Sequence, residues 1–237
     1  NFGVKELFYP TGGPWGDMHV DESFENVMKC LLGFMYTKSN KIIIHDDLID
    51  ILSKFYEGND DSKDLLRPLF GNEIFADLSD SRIFLYESIL ETQRNSIFTK
   101  KEILYVLIGT HVWENIKQND HNVIFNLITS FRLKRMIFED KGDNQSIGMI
   151  LPHDFFDAVD SQIGKGIFKK TINQCNIGEC NCCFSLHGSF LCINNKIFKT
   201  YLFDPLIQNV IAHIEGLLKM DIMKNCSYMY LVGGYSK

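Results

Sequence analysis

Two glycine pairs are the places where this chain's residue types could bring backbone against a ligand. Gly12 and Gly13, with Gly16 close behind, follow the β-rich run 4–9, and Gly233 and Gly234 follow a second such run, 228–232. A glycine after a strand lets the main chain approach a ligand closely. A helix that starts next offers unpaired N–H groups, which attract phosphate or ribose oxygens. Taken singly, neither pair matches the dinucleotide fingerprint or the P-loop pattern, so each reads locally as a plain turn. The two carry weight only together.

The remaining constellations read more plainly. Cys175, Cys180, Cys182 and Cys183, with His187 nearby, could supply thiolate and imidazole donors to zinc. Their spacing lacks two separated C-x2-C knuckles, and adjacent ligands strain tetrahedral geometry, so reduced cysteines in a loop are the better reading, ahead of a disulfide or zinc. Asp46-Asp47 and Asp60-Asp61 could pair as catalytic or magnesium-binding carboxylates, yet neighbouring charges of this kind usually sit in solvent. His45, His111, His121, His153 and His213 are scattered, and neither a Gly-x-Ser-x-Gly elbow nor a Cys-His protease signature is present. A hydrolase site carried by this chain alone is not expected.

The elements that must position these residues follow from periodicity. Val20, Phe24, Val27, Met28, Leu31, Leu32 and Met35 recur at helical spacing, with Asp21, Glu22 and Glu25 in the early turns where the macrodipole favours acids. From 37 to 119 the text is mostly helical and reads as an inserted helical subdomain, with Leu48, Ile51, Leu52 and Phe55 on one face. Thr99-x-x-Glu102 there is a capping box opening the run Ile103, Val106, Leu107. A helix over 122–138 turns Leu127, Ile128 and Phe131 inward and carries Arg132, Lys134 and Arg135 near its end. A turn at 142–144, a strand over 147–151 and a short helix over 152–159 with Pro152 leading come next. A hairpin over 183–193 turns at His187-Gly188. Asp204-Pro205 then caps a helix through Lys219 whose buried stripe is Leu206, Ile207, Val210, Ile211, Ile214, Leu217 and Leu218.

Composition sets the outer bounds. With 237 residues, 45% of them apolar, the chain has material for a substantial core of one or two domains rather than disorder. A net charge of -6 argues against nucleic acid as a partner, because phosphate neutralisation needs clustered Lys and Arg. Apolar runs fall far short of the roughly 20 residues that cross a bilayer, so no membrane span is expected. Cys30, Cys192 and Cys226 stand singly in apolar surroundings, where a reduced thiol packs as a small hydrophobe, and a cytoplasmic setting is the expectation. The start at Asn1, with no initiator Met or leader-like run, reads as a chain entered partway. The stop soon after Gly234, where a helix is expected next, reads as a cut.

Read in order, Val4-Lys5-Glu6-Leu7, Thr11-Gly12-Gly13-Pro14-Trp15-Gly16, Val20-Asp21-Glu22-Ser23-Phe24 and Leu231-Val232-Gly233-Gly234-Tyr235-Ser236 resemble the divergent group-twelve branch of the seventy-kilodalton heat-shock family. Phe131-Arg132-Leu133-Lys134-Arg135, Pro152-His153-Asp154-Phe155-Phe156 and Phe203-Asp204-Pro205-Leu206-Ile207 are similar to further segments of that branch. The block 37–119 resembles it weakly or not at all.

The resemblance implies an α/β, actin-like ATPase lobe with a helical insertion, from a chaperone-type protein that closes two lobes on ATP or ADP with Mg. It implies that Gly233 and Gly234 approach the adenosine, that Lys134 and Arg135 lie along the ribose and adenine side, and that Gly12, Gly13 and Gly16 line the same cleft. It also implies protein clients or the missing lobe as partners. Departures are clear. The main family's glycine pair before its Glu-Asp-Phe falls on Val20-Asp21, and its ribose-contacting glutamate falls on Phe131. Neither phosphate-binding loop of the family is in the sequence. Phosphoryl transfer rests on positioning and charge stabilisation, so the chain alone is not expected to hydrolyse ATP. The other reading is a non-enzymatic protein-interaction module derived from such a lobe.

Overall fold

The apolar repeat that begins at Val20 folds as the helix α1, Asp17–Ser39, and Val20, Phe24, Val27, Met28, Leu31, Leu32 and Met35 are all fully buried. The computed structural model describes residues 16–44, 50–51, 54, 67, 98–135, 142, 145–178 and 183–224. Glycines 12, 13, 233 and 234, the carboxylate pairs at 46–47 and 60–61, and Cys180, Cys182 and Cys226 lie outside the described residues, as do His45, Leu48, Leu52 and Phe55.

Lying along α1 is α2, Lys100–Asn119, which buries Ile103, Leu104, Leu107, Ile108, Val112, Trp113 and Ile116. The two helices cross at a pair of glycines. A Cβ on Gly33 would sit 1.8 Å from the Tyr105 carbonyl oxygen, and one on Gly109 would sit 1.7 Å from that of Lys29. Backbone therefore touches backbone, at a separation that no other residue permits. In an isolated helix a glycine costs about 1 kcal/mol relative to alanine, and here close packing reverses that preference. The N-terminus of α2 is fixed by the expected capping box: Thr99 N–H donates to Glu102 Oε2 at 2.7 Å, and Glu102 N–H donates to Thr99 Oγ1 at 3.3 Å.

A third helix, α3, His121–Arg135, turns Leu127, Ile128 and Phe131 inward as its spacing predicts. Phe131 stacks on Phe24 of α1 with ring centroids 3.9 Å apart and planes 3° from parallel, which ties α3 to the centre of the core. The expected extension to 138 passes outside the described residues.

Strand β1, Ser146–Ile150, is followed by α4, His153–Ile163, with Pro152 just before its first turn. This helix runs further than the expected 152–159, because Phe155, Val159 and Ile163 continue one buried stripe. A short helix, α5, Ile167–Thr171, then leads through a turn of 3-10 helix to Cys175. Strands β2, Phe184–His187, and β3, Phe190–Asn194, form the expected hairpin. The sheet has the order β1-β3-β2 and is antiparallel throughout, with Met149 opposite Leu191 and Phe184 opposite Ile193. Those four side chains are buried. On the other face Ile150 lies opposite Phe190, and both are exposed, as suits an antiparallel sheet with one face in solvent. The described residues thus form a mixed fold, mainly helical, with a small antiparallel sheet.

The last helix corrects two expectations. The chain does not start it at an Asp204 cap: helical residues Asn195–Ile197 pass into a π-helical stretch, Phe198–Phe203, and then into α6, Asp204–Leu218, without a break. Phe198, Tyr201, Leu202 and Phe203 anchor the π-helical stretch in the core. Within α6 itself only Leu206 is buried, and Ile207, Ile211 and Leu218 are 47%, 42% and 45% exposed. Val210, Ile214 and Leu217 are half-buried. Its apolar stripe is real in sequence, but among the described elements its substantial packing is against the π-helical stretch that precedes it.

Candidate functional site

The N-terminus of α1 meets the C-terminus of α3, and this end gathers the described candidates. Gly16 immediately precedes α1, exposed, with extended backbone at φ -99° and ψ -166°. Asp17 and Asp21 are one helical turn apart and share a face of α1. Arg132 and Arg135 share a face of α3 for the same reason.

These four side chains interlock. Arg132 Nε donates to Asp21 Oδ2 at 2.8 Å, across 111 residues of sequence. Arg135 Nη1 lies 2.8 Å from Asp21 Oδ1 and donates to the Asp17 carbonyl at 2.5 Å, while Nη2 lies 3.2 Å from Asp17 Oδ2. The Asp21 Oδ1 contact is a charge pairing rather than an aligned hydrogen bond, and Arg135 Nε has no partner among the described residues. Asp21 and Arg135 are both buried, and Asp17 and Arg132 reach into solvent. Two carboxylates balance two guanidiniums. Removing one member of a buried pair costs about 3–5 kcal/mol, because the other charge is left without a partner.

Of the residues expected to line a ligand site, the structure places Gly16, Lys134 and Arg135 at this one end. Lys134 is half-buried. The terminal nitrogens of Arg135 are engaged by Asp17 and Asp21, whereas the sequence pattern accounts for Asp21 through the helix dipole alone. The available signal was spacing: acids at i and i+4 on α1, and arginines at i and i+3 on α3.

A second cluster gathers buried cysteines from α1 and from the chain just ahead of β2. Cys30 from α1, Cys175 and Cys183 are buried, and the buried Glu102 acts electrostatically on Cys30 and Cys175. Cys183 Sγ accepts the Ile177 N–H at 3.1 Å. Glu102 accepts the N–H of Gly178. Gly178 itself is left-handed at φ +59°, and a Cβ there would meet the Tyr201 hydroxyl at 2.6 Å, so the position requires glycine. Burial, with Cys175, Glu102 and Cys183 adding to it, pushes the Cys30 thiol well above its ordinary value of 9.0. Cys175 is pushed up likewise by burial, then by Cys183 and Glu102. Tyr105 rises to about 12, first through burial and then through Cys175, Cys30 and Glu102. Thiols held protonated in this way are inert packing groups rather than nucleophiles. Cys30, read from sequence as standing singly, has two thiols for neighbours.

No family model, curated protein or solved structure matches the chain.

Chemistry at the remaining candidates is slight. Among the described residues no group of three or more His, Cys, Asp or Glu side chains could hold a metal ion, and His187 is exposed at the end of β2. Ser185 Oγ and His187 Nε2 are 3.5 Å apart on the open face of that strand, beyond the roughly 2.6–3.2 Å of an activated nucleophile. His111 lies 3.1 Å from Asn115, which donates to Gln162, an arrangement that links α2 to α4. His153 stands 3.8 Å from Asp157 on the surface of α4. Among the described residues no helix is long and apolar enough to cross a membrane.

Proposed function

We propose that the chain is part of a heat-shock-70-like, ATP-binding protein of chaperone type, an actin-like lobe that does not hydrolyse ATP by itself. The observation that supports this reading is the convergence of Gly16 with Lys134 and Arg135 where α1 begins and α3 ends. The resemblance put those residues along one cleft, although Gly16 and Lys134 are 118 positions apart. The charge at this end decides which part of a nucleotide it suits. Helix N-termini attract phosphate, but here Asp17 and Asp21 already oppose the dipole and pair with both arginines. A phosphate would face two carboxylates. An uncharged ribose or adenine edge, approached by the exposed Gly16 backbone and the Lys134 ammonium, suits the site better.

An NMR titration of the purified chain with adenosine and with Mg-ADP tests the proposal. The expected result is millimolar binding to both ligands, with shifted amides concentrated at 16–21 and 132–135 and the shifts reduced in Lys134→Ala. Absence of shifts at saturating adenosine would remove the nucleotide reading. Micromolar affinity for Mg-ADP that adenosine does not match would remove the claim that phosphate contacts are lacking.

A second reading, a non-enzymatic protein-interaction module, is favoured by the open apolar face of α6. The block 37–119, the other place for such a surface, has Ile43 as its exposed large apolar side chain among the described residues.

A further inference from the structure

We draw no further inference here: the strongest candidate, the exposed apolar face that Ile207, Ile211 and Leu218 form on the helix Asp204–Leu218, carries nothing because nothing in the structure shows what covers it.

Discussion

The crossing of α1 with α2 and the helix α6 are built from similar apolar stripes and end in opposite circumstances. At the crossing every large side chain of the α1 stripe is sealed, and Gly33 and Gly109 let the two backbones meet. On α6 a stripe of comparable strength leaves Ile207, Ile211 and Leu218 open. Periodicity states which face of a helix needs cover. Whether cover arrives depends on what packs against it, and glycine at a crossing is one device that brings a partner within reach.

The comparison breaks most visibly at the crossing. Gly33→Val should lower the stability of the fold by about 4 kcal/mol or more, or prevent folding, because the new side chain meets the Tyr105 carbonyl and the helices must separate. Urea unfolding followed by circular dichroism measures it, and a loss under about 1 kcal/mol would mean the helices are not in backbone contact.

The ion network comes next. Arg135→Ala should cost about 3 kcal/mol, at the low end for a broken buried pair because Arg132 still holds Asp21. The same unfolding assay applies. Combining Arg135→Ala with Asp21→Ala should cost less than the two single changes summed, since the two buried charges pair with each other.

The smallest effect belongs to α6. Ile207→Ser with Ile211→Ser should change stability by no more than about 0.5 kcal/mol each, the usual range for surface substitutions. A loss of several kcal/mol would show that another part of the protein covers this face.

Much of the fold was legible because its signals are local. The α1 stripe, the Thr99–Glu102 capping box, the inward Phe131 and the hairpin at Gly188 each depend on residues a few positions apart, and each appears where spacing placed it. What was missed is tertiary. A helical glycine at 33 or 109 looks like a weak point until its partner backbone is known. Asp21 looks like a dipole acid until Arg132 and Arg135 arrive from over a hundred residues away. The stripe of α6 predicts burial only where an apolar face finds cover, and here most of it does not. The start of that helix departs from its sequence signal for a different reason. Asp204-Pro205 carries a start signal, but helical backbone already reaches it through the buried π-helical stretch Phe198–Phe203.

For the candidate site, the resemblance named Gly16, Lys134 and Arg135 but not the pairing of Arg135 with Asp17 and Asp21 across more than a hundred residues. The cysteines show the same limit. Their sequence spacing is a local signal, yet nothing local reveals that Cys30 shares one buried core with Cys175 and Cys183.

Native-state amide hydrogen exchange tests the contrast most directly. Opening free energies should approach that of global unfolding at residues 27–35 and 103–113, where the crossing is sealed, and fall close to zero beyond Leu206 in α6, where few apolar contacts hold the helix. Protection in α6 equal to that at the crossing would contradict the account.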